Sequence, residues 1–419
     1  MWRKFFSDSY FKHTAIYLFG TVISGFICYL YYPALGRLLS TADFGEVQAI
    51  ISMFSFCGLI YSIFSMMVIN VVSNNSVDFE RDIILSEIKK ILLYISLTLA
   101  IILSVASIFL KNFFHFNSVA PIILVGVLVV VSGLITMRSA FLIGTKQFKI
   151  FSFNTILNAV LRLIFAVLFV IIGWRVFGAI SGLLIAQLVV LVYLYYKTRK
   201  NINFIPLGQT VFTERVGREL KFGLMVLAVM FTVTFFYSAD VLFDKRLFIA
   251  EAAGGYSGIA TIARIIYFIS GPAIGVLFAS VGVGRHEENE RLAKKALIVV
   301  GVVGLGCLFL FSFFPSLVVQ LSLGKNYLNY SFLLPRVGLL LFLVSIMNAF
   351  LMYYLALRRK FVVWLGLGGV IVTSSLMFLS HGSLFNLVNN FIIGVLAVLV
   401  CIGIKILKPW GLRFIRNYN

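Results

Sequence analysis

Charge is scarce in this chain. Only 12% of its 419 residues are Asp, Glu, Lys or Arg, while 61% are hydrophobic. A soluble domain of this length could not cover so much apolar surface with so few polar groups, so lipid must be the solvent for most of the chain. The mean hydropathy of +1.05 agrees. Cysteine is limited to Cys28, Cys57, Cys307 and Cys401, scattered one to an apolar segment, which excludes a disulfide framework and a metal site. The four histidines, His13, His115, His286 and His381, stand isolated near segment ends. No nucleotide-binding loop, zinc-ligand spacing or catalytic triad is found, so no cofactor is expected. The first apolar segment lacks a small-residue cleavage site and reads as a retained helix rather than a signal peptide.

Long apolar runs take the place of these features. Twelve can be drawn, at 14–33, 47–72, 91–110, 119–143, 153–172, 177–196, 220–238, 253–283, 296–314, 332–357, 362–380 and 384–404. Each can supply the ~20 residues of a membrane-spanning helix. With 43 Phe, the aromatic content fits lipid-facing helices better than a stack of binding platforms.

Acidic residues are the rarer sign, 15 against 35 Lys and Arg, and the net charge of +20 is placed asymmetrically. Twenty-five basic residues fall in the N-terminus, the tail and the connections after even-numbered segments, against seven on the opposite side. The positive-inside rule puts both termini in the cytoplasm and supports the count of twelve. The basic charge is thus a topology signal, and no nucleic-acid partner is expected. The one long polar connection, 197–217 with Pro206 inside it, reads as a cytoplasmic linker between an N-lobe (1–208) and a C-lobe (209–419). The longest outer connection, 316–331, has room for a small helix at most, which leaves no place for an extracytoplasmic catalytic domain. At the ends, Trp2, Phe5, Phe6 and Tyr10 interleave with Arg3, Lys4 and Lys12, and Trp410 and Phe414 neighbour Lys408, Arg413 and Arg416. Both stretches read as interfacial anchors.

The two halves echo each other. Gly45 follows Arg37 between two apolar segments much as Gly255 follows Arg246, and Ser139-Ala-Phe-Leu142 pairs with Asn348-Ala-Phe-Leu351 at nearly the same offset. Internal duplication is a signature of transporter folds with a site between repeats.

Three cations remain inside the segments: Arg138, Arg162 and Arg264. An arginine near the bilayer centre costs about 2.5–3.5 kcal/mol on insertion scales, so it faces a cavity or a partner. Arg264 has Ser257, Ala260, Thr261 and Ala263 beside it and could grip a phosphate bidentately. It could equally pair with Asp240 or Asp244 on the preceding connection. Arg162, with Asn154 and Asn158 on the same helical side, reads as an interhelical lock or a second cavity cation; Arg138 sits near an inner end and can snorkel. Asp240 and Asp244 read as interfacial charges facing Lys245 and Arg246, or as sites for a coupling proton or sodium ion. Gly271-Pro272-Ala-Ile-Gly275 is expected to interrupt the eighth segment as a candidate hinge, and Gly20, Gly25, Pro33 and Gly36 to loosen the first.

Three stretches carry a family resemblance: Leu35-Gly-Arg37-Leu-Leu-Ser-Thr-Ala-Asp-Phe-Gly45, Leu220-Lys-Phe-Gly223 with Asp240 and Gly255-Tyr256, and Leu323-Gly-Lys-Asn-Tyr327. They are similar to polysaccharide-unit flippases, including the Wzx-type O-antigen flippases, of the multidrug/oligosaccharidyl-lipid/polysaccharide exporter superfamily. Met225 departs from the pattern where a proline is common, and the end of the second segment lacks an expected Gly and Arg. The resemblance implies an all-α bundle of two pseudo-symmetric six-helix lobes around a central cavity, with segments 1, 2, 7 and 8 as walls. It implies an undecaprenyl-diphosphate-linked oligosaccharide as substrate, moved across the bacterial inner membrane. Arg264 would hold the diphosphate, with Arg162, Ser257 and Thr261 beside it, Asp240 or Asp244 would couple to an ion, and a polysaccharide polymerase and chain-length regulator would be further partners. A multidrug or cation antiporter of the same superfamily is the second reading, and a membrane polysaccharide polymerase or ligase the third.

Overall fold

The computed structural model describes residues 9–74, 78–199, 201, 214–281, 286–380 and 382–416, with side chains over 19–73, 81–199, 201, 223–278, 280–281, 287–380 and 382–405. Trp2, Phe5, Phe6, Pro206 and Arg285 lie outside the described residues, as do the side chains of Tyr10, Trp410 and Phe414. Among the described residues every regular element is helical. Lipid offers the backbone no hydrogen bonds, so each apolar run must close its own i→i−4 ladder.

In the first lobe the helices are α1 (Ser9–Leu38), α2 (Thr41–Asn74), α3 (Asp78–Phe114), α4 (Ala120–Gly144), α5 (Phe148–Phe169) and α6 (Arg175–Thr198). Then come α7 (Glu214–Thr234), α8 (Asp240–Leu247), α9 (Ala250–Ala263), α10 (Ile265–Ser280), α11 (His286–Phe313), α12 (Pro315–Ser322), α13 (Leu334–Ala356), α14 (Phe361–Leu379) and α15 (Leu384–Arg416). Boundaries follow local chemistry. Ser40 Oγ accepts the Asp43 N–H (3.1 Å) at the start of α2, and prolines occupy the first turns of α4, α12 and α13, where a missing N–H costs nothing.

Eleven helical runs among the described residues are long and apolar enough to span a membrane. One of them, Phe148–Thr198, has 51 residues, far more than one crossing needs. It is a hairpin: the π-helical turn Val170–Trp174 contains Gly173 at φ 101°, and Arg175 follows at φ 42°. A side chain at Gly173 would strain the turn. Counting the two arms separately gives twelve crossings.

The α5–α6 hairpin closes at backbone level. A Cβ on Gly182 of α6 would collide with the Ala166 and Phe165 main chain of α5. Small residues at such crossings let helices approach where lipid supplies no hydrophobic drive. Gly182→Val is therefore expected to destabilise the first lobe by roughly 1–3 kcal/mol, read as a lower melting midpoint in detergent. An unchanged midpoint would contradict the contact.

The chain divides into two compact units, Met1–Leu227 and Ala228–Asn419. In the first, α1 packs on α5, α2 and α3 on α4, α4 on α6 and α5 on α6. In the second, α10 and α11 pack on α13, and α13 and α14 on α15. The crossing of first with fifth helix recurs too: a Cβ on Gly20 (α1) would meet Ser152 (α5), and one on Gly366 (α14) would meet Thr232 (α7). The two units are thus pseudo-symmetric six-helix lobes. The Ser139–Leu142 and Asn348–Leu351 echo falls on α4 and α13, the corresponding central helix of each lobe.

Two expectations require correction. The eighth segment is broken at Arg264, between α9 and α10, while α10 runs unbroken through Gly271, Pro272 and Gly275. Likewise α1 is continuous through Pro33. A proline removes one ladder bond, which neighbouring turns in a packed helix can absorb.

Candidate functional site

The second lobe gathers most of the predicted polar residues around one aspartate. The stretch leading to it departs from ideal helix: Phe235–Ala239 form a π-helical turn between α7 and α8. The extra residue in such a turn rotates the next helical stretch by about 100° about the helix axis, a device common at functional sites. Asp240, the first residue of α8, is thereby fully buried, as is Asp244 one turn on. Asp244 faces Lys245, which is also buried. The segment does not end at 238; its helical path continues through α8 to Leu247, which draws the acidic pair into the protein.

Asp240 is held from two sides. The Tyr256 hydroxyl of α9 donates to its Oδ2 at 2.8 Å, and Arg264 Nη2 donates to its Oδ1 at 3.4 Å. Arg264 is 5% exposed and sits at the α9–α10 break, where its guanidinium lies 5.0 Å over the Tyr237 ring. Tyr237 in turn packs on Tyr267 at 4.7 Å between centroids, and Asn348 Nδ2 of α13 donates to the Tyr267 hydroxyl at 3.3 Å. The buried charges on these elements, Asp240, Asp244, Lys245 and Arg264, balance to zero.

Other groups stand ready for a ligand. Both carboxylate oxygens of Asp244 and the Oγ of Ser257 are buried without a hydrogen-bond partner. A buried acceptor left unmade is costly, so such groups mark places where a proton, ion or water is wanted. Thr261, by contrast, donates its hydroxyl to Ser257 O at 2.8 Å within its own helix. Among the described residues no three His, Cys, Asp or Glu come together as a metal site would need.

Two of the resemblance-bearing stretches meet at this site. A Cβ on Gly255 would strike the Tyr330 ring and one on Gly258 the Tyr327 ring and Leu323, so the glycine face of α9 receives the 3-10 segment Lys325–Leu333. Tyr237 and Tyr267 went unread in the sequence as site residues, and Asn348 was read only as part of the internal echo. Only the π-turn and the packing of α13 bring them to Arg264, and neither leaves a local pattern.

The first lobe holds the other deep cation. Arg162 of α5 lies 4.1 Å over the Tyr31 ring and 5.6 Å from Tyr32, both on α1. Its Nε and Nη2 are buried without an acceptor, and its electrostatic neighbours are Tyr32, Tyr31 and Cys28, none a carboxylate. Asn154 is buried two turns away with its carbonyl oxygen unpaired. Arg138, nearer the end of α4, donates to Thr198 Oγ1 and lies over Tyr195.

A bundle of this kind, with arginines and aspartates buried on spanning helices, defines a multi-pass membrane protein of transporter fold. Residues 10–278 match the family described as Polysaccharide biosynthesis protein. The chain belongs to that family. A search of curated proteins finds no match. Among solved structures, the chain is similar to the lipid II flippase MurJ in an inward closed conformation, with TM-score 0.68, 15% identity and coverage of 93% of this chain and 87% of that one. It is also similar to an inward-facing multidrug resistance MATE family transporter of the MOP superfamily, with TM-score 0.72, 14% identity and coverage of 93% and 99%. A MOP superfamily transporter from Pyrococcus furiosus gives 0.63, 14%, 93% and 93%. At these identities the likeness establishes the fold, the two-lobed one of that superfamily.

Proposed function

We propose that the chain is a Wzx-type flippase, moving an undecaprenyl-diphosphate-linked oligosaccharide repeat unit, as in O-antigen or lipopolysaccharide assembly, from inner to outer leaflet of the bacterial cytoplasmic membrane by alternating access. One observation carries this reading: in a polysaccharide biosynthesis family member, each lobe sets an arginine over tyrosine on its spanning helices, the half-buried Arg162 over Tyr31 and the buried Arg264 over Tyr237. Guanidinium is the side chain suited to bidentate phosphate, and the tyrosines supply apolar faces with polar tips for sugar. The cargo needs such help, because each unpaired hydroxyl costs about 2–7 kcal/mol in hydrocarbon.

In this reading Arg264 and Arg162 meet the diphosphate, with Ser257 and Thr261 beside the sugar. Asp240 and Asp244 take up a coupling proton or sodium ion, and an inside-negative potential adds about 2.3 kcal/mol per negative charge per 100 mV. Gly271, Pro272 and Gly275 let α10 bend while the lobes rock. The acidic pair also supports a second reading, a cation or multidrug antiporter, since the bare Asp244 carboxylate suits a cationic ligand. Neither reading needs catalysis. A polymerase and a chain-length regulator would act on the delivered units.

Deleting the gene is expected to accumulate single lipid-linked repeat units on the cytoplasmic face of the membrane. Units that reach the outer face but stay unpolymerised would point to a polymerase instead, and an unchanged pool with new drug sensitivity to the antiporter.

A further inference from the structure

We propose that Asn348 of α13, with the rings of Tyr237 and Tyr267, forms a subsite for the first sugar of the lipid-linked unit, next to the cation that meets the diphosphate. The subsite rests on the flippase reading above and gives it a residue that reads sugar rather than phosphate.

Asn348 leaves an acceptor open. It is 5% exposed on a spanning helix, and its Oδ1 has no hydrogen-bond partner. A buried amide carbonyl left unmade is costly, because desolvation is paid with nothing in return. The Nδ2 end is already engaged, donating to the Tyr267 hydroxyl of α10 at 3.3 Å, which holds the amide in place. What the oxygen lacks is a donor, and a sugar carries several hydroxyls that donate.

The groups beside Asn348 fit the rest of such a ligand. Tyr267 packs on Tyr237 at 4.7 Å between ring centroids, and the Arg264 guanidinium lies 5.0 Å over Tyr237. Both tyrosines are only half-buried, so the cluster has an accessible side. Starting at Arg264 the order is cation, ring, ring, amide. A glycosyl phosphate presents the matching order: charge, then C–H faces that lie on aromatic rings, then hydroxyls. Aromatic walls with a few fixed polar groups are the usual make-up of a small-molecule site.

A structural alternative has Asn348 merely tying α13 to α10 through Tyr267. The Nδ2 bond alone serves that purpose and leaves the open oxygen without a use. The internal echo points the same way. Asn348-Ala-Phe-Leu351 matches Ser139-Ala-Phe-Leu142 on the corresponding helix of the first lobe and differs only at its first residue. Packing common to both lobes is kept in Ala-Phe-Leu, whereas the amide belongs to the second lobe.

Native mass spectrometry of the purified full chain in mild detergent tests this, with undecaprenyl diphosphate added either bare or carrying one glucose or one N-acetylglucosamine. The native chain is expected to retain a sugar-bearing lipid roughly tenfold better than the bare one, about what one good hydrogen bond contributes. In Asn348→Leu, a change of similar volume, the sugar-bearing lipids should fall to the level of the bare lipid. Tyr267→Phe, which keeps the ring and frees the amide, should lose part of the preference. Equal retention of bare and sugar-bearing lipid by the native chain would overturn the subsite, whatever the variants do, and leave the flippase reading standing. So would an undiminished sugar preference in Asn348→Leu. If the native chain retains none of the three lipids, the flippase reading fails and the subsite with it.

Discussion

Arg264→Ala is expected to lower the amount of folded protein in the membrane and to abolish export of the lipid-linked unit. Both effects come from one bond. Arg264 donates to Asp240 at 3.4 Å in a site where Asp240 is fully buried. Removing one member of a buried pair costs about 3–5 kcal/mol, because the other charge stays behind. Tyr256 still donates to Asp240 but brings no positive charge. A loss of export in this variant alone would therefore not separate a grip on substrate from a structural pair. The double change Asp240→Asn with Arg264→Gln does, since it removes both charges at nearly constant volume. It should recover abundance on immunoblots of membranes while the lipid-linked unit still accumulates inside. Normal export by that double variant would mean that Arg264 serves only Asp240. Arg264→Lys keeps the charge but not the bidentate fork, and should retain part of the activity.

Arg162→Met should behave oppositely, losing export while abundance and melting midpoint hold or rise. No carboxylate is stranded when this guanidinium goes, because its neighbours are Tyr31, Tyr32 and Cys28. Replacing a desolvated charge by an apolar side chain of similar size is often neutral or stabilising by about 1–4 kcal/mol. Tyr31 keeps its own bond, donating to Ala179 O at 3.4 Å. If Arg162 instead locks α5 to α1, the methionine variant would melt earlier and disappear from membranes. A midpoint measured in detergent beside an export assay decides between these outcomes. The two arginines thus carry opposite stability signatures, which a screen of export alone would miss.

The ranking of these residues shows where sequence reading reaches its limit. Arg264 was read as a phosphate grip or as a partner of Asp240 or Asp244, alternatives that residue order left open. The fold pairs it with Asp240. Arg162 read as an interhelical lock or a second cavity cation, and only the fold shows that its close partners are two tyrosines of another helix. Asp240 and Asp244 read as interfacial charges or as sites for a coupling ion, and the sequence did not show that both are buried in the protein. Hydropathy averages over neighbours in sequence, whereas burial is decided by what packs around the turn. The π-turn at Phe235–Ala239 has no compositional mark, and it carries both carboxylates inward.

Glycine and proline were similarly ambiguous. Pro272 was expected to break its helix, but the helix continues through it and the break falls at Arg264. Gly255 was noted as an echo of Gly45; its role at close range, admitting the Tyr330 ring, depends on a segment far along the chain.

By itself the sequence determined the solvent, the spanning helices and the duplication. These depend on quantities read along the chain, apolar length against bilayer thickness above all. The tertiary structure alone decided which buried charges meet. Asp240 with Arg264 and Tyr256, Arg162 with Tyr31, and Arg138 with Thr198 each join side chains from different helices. In a medium of low dielectric, those pairings decide whether an arginine is already neutralised or still has charge to offer a phosphate.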